Sequence, residues 1–158
     1  MKKIIYLHGL ESDQGGDKVS FLTKYGFVYA PEMDYKSFTK KDFDNLLSYI
    51  NDGDIIIGSS AGGYMADLLG SYKKCTLVLF NPALHSRTFN FLEPIEYGDI
   101  LSKRIFVLGM LDDVVNAHIT LNMIRKDDVV EKLNMKHRTP FFVFTNIYDK
   151  YIMGILND

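Results

Sequence analysis

A serine, an aspartate and a histidine stand where they could form a nucleophilic site. Ser60 lies at the centre of "GSSAG" (residues 58–62), and Asp112 and His137 each follow an apolar run. A serine hydroxyl becomes a nucleophile when an imidazole accepts its proton and a carboxylate orients that imidazole. These residue types, in the order serine, acid, histidine, predict acyl transfer through a covalent acyl-enzyme.

The glycine spacing selects Ser60 rather than Ser59. A sharp strand-to-helix turn projects a serine clear of the backbone and crowds the positions two before and two after it, where only very small residues fit. Gly58 and Gly62 occupy these positions around Ser60, and Ser59 lacks such a pair. The alternative is that the glycines only let a helix pack closely on a sheet, as in nucleotide-binding turns.

Two adjacent acids could orient the imidazole. Asp112 directly follows the apolar stretch "RIFVLGML", and Asp113 comes next. We favour Asp112, because Asp113 also suits the N-cap of a following helix. Helix capping alone is the alternative function of both carboxylates.

Four histidines compete for the role of base. His137 follows the last apolar run and precedes a helix start, which places it in a loop. His118 has helical spacing typical of a histidine at the edge of a core. His85 could touch substrate, but a base there would precede the acid, and His8 is expected to shape its loop. The alternative for His137 is a surface histidine.

Backbone N–H groups could stabilise the oxyanion of a tetrahedral intermediate. At a serine turn of this kind one donor is the residue after the nucleophile, here Ala61. The loop His8-Gly9-Leu10 after the first apolar run could supply the second donor, for which we favour Leu10.

The elements that must position these residues are short apolar runs separated by helical patterns. The runs do not alternate apolar with polar residues, which is typical of parallel strands covered on both faces. They occupy residues 4–7, 27–30, 55–57, 76–80, 105–108 and 129–133. The carboxyl ends of such strands meet at one edge, where ligands bind. We therefore predict an α/β fold with three layers, α/β/α, and a mostly parallel sheet.

Helical spacing of apolar residues predicts the covering helices. A helix over 41–51 has a capping box at Thr39 and Asp42, and another helix covers 113–125. A final helix begins at Thr139-Pro140, an N-cap and N1 pair. Residues 86–103 are predicted to form a loop with a short helix over the sheet edge.

Length, charge and cysteine content limit the class of protein. The 158 residues suit a single domain spanning 1–158, and the net charge of −2 makes nucleic acid and acidic membranes unlikely partners. No apolar run is long enough to cross a bilayer. The single Cys75 is expected to be a small apolar residue at the start of a strand, and a cytoplasmic location fits these features.

Several motifs together resemble the α/β-hydrolase superfamily, and more closely its compact YqiA-like or UPF0227 esterase-like branch. They are "IIYLHGLES" (4–12), "IIGSSAGGYMADLLG" (56–70), "FNPAL" (80–84), "LGMLDDVV" (108–115) and "NMKHRTPF" (134–141). The resemblance implies a serine hydrolase with Ser60, Asp112 and His137 as its triad and Ala61 and Leu10 as oxyanion donors. Members of the branch usually carry G-x-H, where this chain has Met135-Lys136-His137.

The sequence lacks a long insertion that could form a lid, so we expect a small or extended substrate or an open pocket. Candidate pocket residues are His85, Phe89 and Tyr97, together with Phe91. The alternative is that these aromatic residues belong to the core.

The leading hypothesis is therefore a carboxylesterase or thioesterase that acts on a small-molecule acyl ester or thioester. This chemistry requires no metal and no organic cofactor. The alternative is a non-catalytic binding or accessory protein of the same fold, in which the serine turn survives without a working triad. A phosphate cradle is disfavoured, because neither G-x-G-x-x-G nor G-K-[ST] is present. The sequence does not indicate the oligomeric state.

Overall fold

The fold is built on one parallel sheet, which a computed structural model describes for residues 1–10, 16–87 and 90–158. The six strands have the order β2-β1-β3-β4-β5-β6, and every neighbouring pair is parallel. They are β1 (Ile4–Leu7), β2 (Val28–Tyr29), β3 (Ile55–Ser59), β4 (Thr76–Phe80), β5 (Lys103–Gly109) and β6 (Val129–Leu133). The predicted strands and the predicted parallel sheet are confirmed.

The inner strands are apolar throughout because both of their faces are covered. Successive side chains of a strand point to opposite faces, so alternate residues enter two separate cores. Ile5 and Leu7 of β1 belong to one core, and Ile4 and Tyr6 belong to the other. This explains why these runs show no alternation of apolar and polar residues.

Helices cover both faces and complete the three layers. Their bounds are α1 (Asp17–Leu22), α2 (Lys40–Ser48), α3 (Ala61–Leu69), α4 (Ala117–Leu121), α5 (Phe141–Ile147) and α6 (Met153–Asn157). The helices α2, α3 and α4 contribute Phe43, Met65 and Ala117 to one core. The helices α1 and α5 contribute Leu22 and Phe144 to the other.

The predicted helix boundaries are partly wrong. The capping box of Thr39 and Asp42 is present and starts α2. In contrast, the helix predicted over 113–125 shrinks to α4, because the Asp112 carboxylate accepts hydrogen bonds from the following backbone N–H groups and Asn116 provides the cap. Local side-chain bonds of this kind compete with helix formation.

The C-terminal helix also differs from the prediction. It begins at Phe141, Pro140 takes the N-cap position, and the Thr139 hydroxyl makes no cap bond. A π-helical turn, Tyr148–Ile152, joins α5 to α6. The helix α1 has no counterpart in the sequence prediction.

The segment between β4 and β5 contains no large lid in the part that the structure describes. The predicted short helix is absent from residues 86–87 and 90–102. Within this segment Phe91 packs on the rings of Phe38 and Tyr64, at centroid distances of 5.5 and 5.8 Å.

The order of the strands places a topological switch point between β1 and β3 at the carboxyl edge. The chain goes from β1 to β2 on one side and then returns to add β3 on the other side of β1. Loops that leave β1 and β3 therefore diverge to opposite faces, and in open α/β sheets ligands bind at such a switch point. The loop 8–10 and Ser60 both start there.

Cys75 is buried directly before β4, as predicted. Burial, with smaller contributions from the carboxylates of Asp54 and Asp52, raises the pKa of its thiol to about 12. The thiolate is the reactive form of cysteine, so this thiol is a poor nucleophile at neutral pH. Within the described ranges, no helix has both the length and the apolar character needed to cross a membrane.

A buried ion network ties α3 to the amino end of the sheet. The Arg104 guanidinium, at the start of β5, bonds the carboxylates of Asp67 on α3 and Asp128 before β6, with N···O distances of 3.2 and 2.6 Å. The Tyr97 hydroxyl also donates to Asp67. All these charged side chains are at least 95% buried, so each depends on its partners for the solvation that water no longer provides.

Removing Arg104 should destabilise the protein strongly, because two buried carboxylates would lose their counter-charge. We expect Arg104→Met to lower the free energy of unfolding by about 3 kcal/mol or more in urea titrations. Lys40→Ala, which removes the exposed pair with Asp44, is the control and should leave the urea midpoint close to that of the wild type. Equal urea midpoints for Arg104→Met and Lys40→Ala would contradict a stabilising role of the buried ion network.

Candidate active site

Ser60 occupies a strained turn between β3 and α3. Its backbone has φ 54° and ψ −113°, in the left-handed half of conformational space that L-residues rarely adopt. Such strain persists only where the surrounding structure imposes it, and it clusters at functional sites. The turn therefore matches the predicted geometry for projecting a serine side chain.

The glycines around Ser60 are required by close backbone contacts. A Cβ atom at Gly58 would lie 2.2 Å from the carbonyl oxygen of Gly62. A Cβ atom at Gly62 would lie 2.0 Å from the Leu7 oxygen and 2.6 Å from the His8 oxygen. Gly58 thus permits the turn itself, and Gly62 lets α3 approach the end of β1. The close packing that the alternative interpretation required is present together with the strained serine.

A continuous hydrogen-bonded chain joins the serine, the histidine and the acid. The Ser60 Oγ lies 3.0 Å from Nε2 of His137, and Nδ1 of His137 lies 2.8 Å from Oδ2 of Asp112. A carboxylate can only accept, so Nδ1 carries the proton and Nε2 is the acceptor for the serine hydroxyl. The Asp112 side chain is 1% exposed and that of His137 is 24% exposed.

The Asp112 carboxylate is held in place from its other oxygen. Its Oδ1 accepts hydrogen bonds from the N–H groups of Val114 and Val115, at 2.8 and 2.9 Å. These bonds offset the cost of burying the charge and orient Oδ2 towards His137. Asp113 is exposed, and Asn116 rather than Asp113 caps α4. Of the two acids, the structure brings Asp112 to the imidazole.

Parallel pairing of β5 and β6 brings the acid loop and the histidine loop together. Gly109 pairs with Leu133 at the ends of these strands, and the Leu111 N–H donates to the Met135 oxygen at 3.1 Å. A Cβ atom at Gly109 would lie 2.5 Å from that same oxygen, so glycine permits the crossing. Met135 itself is buried in a core cluster. The stretch Met135-Lys136-His137 therefore reaches the site although it departs from G-x-H.

The loop after β1 is held by His8 and by two residues that the sequence analysis did not identify. Nε2 of the buried His8 accepts from the Met33 N–H at 2.8 Å, and its Nδ1 lies 2.6 Å from the Gly9 oxygen. The Tyr35 hydroxyl donates to the His8 oxygen at 2.5 Å. Because the Met33 N–H can only donate, His8 is neutral with its proton on Nδ1. No local sequence signal links residues 25 positions apart.

The predicted oxyanion donors are Ala61 and Leu10. Ala61 is the first residue of α3, so its N–H is among the first-turn donors that have no partner within the helix. Leu10 is half-buried and packs on the core that contains α3. Their role as donors remains a prediction.

The other histidines do not enter the hydrogen-bonded chain. His118 is exposed, which contradicts the expectation of a core-edge residue, because the shortened α4 buries Ala117 and Thr120 instead. Nε2 of His85 lies 3.1 Å from the Asn116 oxygen, between the loops that follow β4 and β5.

Of the remaining candidate pocket residues, Phe89 lies outside the described residues. Tyr97 is 43% exposed, with its hydroxyl bonded to Asp67 and its ring centroid 6.3 Å from that of Tyr64. The Arg87 guanidinium lies 4.0 Å above the same Tyr64 ring. Part of this aromatic group therefore packs on α3, and its contact with substrate stays a prediction.

The family described as "Uncharacterised protein family (UPF0227)" matches residues 3–97, which include β1 to β4 and the serine turn. The chain belongs to this family. A search of curated proteins gives no match.

Solved structures share the fold of this UPF0227 member. A Xanthomonas campestris pv. campestris protein assigned to the hydrolases of the α/β superfamily superposes with a TM-score of 0.67 at 16% identity, covering 99% of this chain and 97% of its own. A Paleococcus ferrophilus monoacylglycerol lipase gives 0.71 at 14% identity, covering 98% and 94%. An esterase from a Rhodococcus species gives 0.68 at 12% identity, covering 98% and 90%. The fold is that of the α/β hydrolases.

The contact between Gly62 and β1 predicts a severe effect of a single methyl group. Gly62→Ala should lower the free energy of unfolding by about 2 kcal/mol, since backbone atoms of the serine turn and β1 must separate. Gly154→Ala is the matched control, because a Cβ atom there meets nothing within 4 Å. Because Gly154 lies within the helix α6, Gly154→Ala should raise the free energy of unfolding by about 0.5 kcal/mol. Urea unfolding of both variants measures the difference, and tolerance of Gly62→Ala would contradict so close an approach of α3 to β1.

Proposed function

We propose that this protein is a serine hydrolase, a carboxylesterase or thioesterase that acts on a small-molecule acyl ester or thioester. The observation that carries the proposal is the chain from the Ser60 hydroxyl through the His137 imidazole to the buried Asp112 carboxylate, at 3.0 and 2.8 Å. Nucleophile, base and orienting acid are then each within hydrogen-bond reach of the next.

In the first half of the proposed reaction, the Ser60 oxygen attacks the carbonyl carbon of the substrate. His137 Nε2 takes the hydroxyl proton as the new C–O bond forms, and Asp112 stabilises the resulting imidazolium. The carbonyl oxygen becomes an oxyanion, for which we propose the N–H groups of Ala61 and Leu10 as donors. Each such donor contributes about 3 kcal/mol to lowering the barrier in comparable enzymes.

Collapse of this intermediate expels the alcohol or thiol, which takes its proton from Nε2 of His137. Water then attacks the acyl-enzyme, His137 accepts a proton from the water, and the same proton returns to Ser60 as the carboxylic acid leaves. The His137 side chain is 24% exposed, which leaves the imidazole accessible to water for this second half.

The structural relatives support a hydrolase of this general class. Two of the proteins that share the fold are a monoacylglycerol lipase and an esterase. At identities of 14% and 12%, their superposition on this chain shows a shared fold alone, and the proposed activity rests on the site itself. The absence of a large lid from the described residues supports either a small or extended acyl group or an open pocket.

The non-catalytic alternative expects an imidazole too distant to bond the serine. The distance of 3.0 Å between Nε2 of His137 and Oγ of Ser60 instead supports the enzyme.

A cytoplasmic location stays a prediction.

Labelling of Ser60 tests the proposed nucleophile. A fluorophosphonate probe should modify the wild type and Ser59→Ala, whereas Ser60→Ala should take up no label. The same preparations should be assayed on p-nitrophenyl esters graded from acetyl to long acyl chains, and we expect turnover of the shortest esters by the first two proteins alone. Equal labelling of Ser60→Ala, confirmed by peptide mass spectrometry, would refute the assignment.

The two adjacent aspartates provide a matched pair for testing the acid. Asp112→Asn should lower kcat by about 10³ to 10⁴-fold, because an amide donates to Nδ1 and stabilises the wrong imidazole tautomer. Asp113→Asn changes an exposed side chain and should retain wild-type kcat. Comparable losses in the two variants would show that Asp112 has no special role.

A further inference from the structure

Asn81 connects the proposed base to the rest of the sheet. It directly follows β4, at the carboxyl edge, and it is 2% exposed. We propose that Asn81 is a positioning residue that sets the location of the His137 imidazole relative to Ser60, an inference that rests on the proposed function.

The side-chain amide of Asn81 bonds two loops at once. Its Nδ2 donates to the carbonyl oxygens of His137 and Lys136, at 2.7 and 3.3 Å. Its Oδ1 accepts from the Gly109 N–H at 2.7 Å. The carbonyls can only accept and the N–H can only donate, so the orientation of the amide is determined by its partners. The end of β5 and the histidine loop are therefore linked through a single side chain.

The backbone of Asn81 is as constrained as its side chain. Its φ is 42°, and its N–H donates to the Val107 oxygen on β5 at 3.0 Å. Among the residues that the structure describes, Ser60 and Asn81 are the ones other than glycine with a positive φ. Asparagine tolerates this conformation better than most residues, which suits it to a sharp exit from β4.

The residues on either side of Asn81 hold the backbone of the nucleophile. The Ser60 N–H donates to the Phe80 oxygen at 3.0 Å, and the Ala83 N–H donates to the Ser60 oxygen at 2.9 Å. The segment 80–83 thus contacts the proposed nucleophile through its main chain and the proposed base through the Asn81 side chain. It links the two residues directly, although they are 77 positions apart.

This arrangement has a kinetic consequence. The position of the His137 imidazole depends on the backbone of His137, whose carbonyl oxygen accepts a hydrogen bond from Asn81. A displacement of about 1 Å between reacting groups costs about 100-fold in rate. Loss of the Nδ2 donors should therefore affect proton transfer at Ser60 and leave substrate binding nearly unchanged.

Asn81→Asp is the sharpest variant for testing this inference. It keeps the size, the acceptor for Gly109 and the tolerance of positive φ, but it turns a carboxylate oxygen towards the carbonyls of His137 and Lys136. We expect kcat on p-nitrophenyl acetate to fall about 10 to 100-fold with KM within about threefold of the wild type. Asn81→Gly, which also adopts positive φ readily, is the second variant if Asn81→Asp folds poorly.

Ser102→Ala is the matched control for buried hydrogen bonds. Ser102 is 4% exposed and its hydroxyl bonds Cys75 and Lys73 at the opposite, amino edge of the sheet. Its loss should lower the unfolding midpoint without changing kcat. Equal kcat losses in Ser102→Ala and Asn81→Asp would show a general effect of destabilisation and would overturn the inference.

A double-mutant comparison separates positioning from a merely structural role. In a His137→Ala background, adding Asn81→Asp should leave the rate of fluorophosphonate labelling at Ser60 unchanged. Asn81 is proposed to act through the His137 imidazole, and this background lacks that imidazole. A further 10-fold loss would overturn the inference. If the wild type is labelled at Ser60 and Asn81→Asp has the kcat and KM of the wild type, the inference is overturned and the proposed function stands.

A spectroscopic measurement tests the same inference without turnover. The Nδ1 proton of His137, bonded to Asp112, should give a far-downfield proton resonance in the wild type and in Ser102→Ala. We expect this resonance to be lost or broadened in Asn81→Asp, and its full retention would overturn the inference. A wild type that shows the resonance but neither labels nor hydrolyses esters would instead refute the proposed function.

Discussion

The backbone conformation of Ser60 is the constraint on which the site depends. A left-handed serine costs about 1 to 3 kcal/mol and is stable only because its surroundings leave no alternative. The Ser60 N–H is bonded to Phe80, its carbonyl accepts from Ala83 and Tyr64, and α3 is pressed against the end of β1 through Gly62. The hydrogen bonds to Phe80 and Ala83, at and after the end of β4, and the contact of α3 with β1 thus keep Ser60 in its strained conformation. The strained serine is a property of three neighbouring parallel strands rather than of the turn alone.

The same sheet supplies the partners of the serine. Because β5 and β6 pair in parallel up to Gly109 and Leu133, their exit loops leave side by side and carry Asp112 and His137 to one place. A buried carboxylate would be costly without partners, and here two backbone N–H groups and the imidazole satisfy it. The bonds that stabilise Asp112 are also the ones that shorten α4. Local helix formation has therefore given way to the arrangement of the site.

Local sequence patterns predicted some elements correctly and others wrongly. The capping box at Thr39 and the apolar strands depend on neighbours in sequence, and they were predicted correctly. The helix over 113–125 was predicted too long, because the Asp112 carboxylate bonds the next backbone N–H groups and Asn116 caps a shorter helix. The predicted cap at Thr139 was wrong, since Pro140 takes the N-cap position. The exposure of His118 was missed because the shorter α4 buries Ala117 and Thr120 instead. Of the candidate site, the residue types and their order along the chain were readable, and the distances between them were not.

By itself, the sequence determined the parallel α/β sheet, the choice of Ser60 over its neighbour and the edge at which an acid and a histidine arrive. These follow from short-range patterns, namely apolar runs and the glycine spacing that a sharp turn demands. Only the tertiary structure decided between Asp112 and Asp113, brought the His137 imidazole within hydrogen-bond distance of Ser60 and revealed the bonds of Asn81, Met33 and Tyr35. The reason is physical: these bonds join residues from 25 to 77 positions apart, and only the register of the folded sheet brings such residues together.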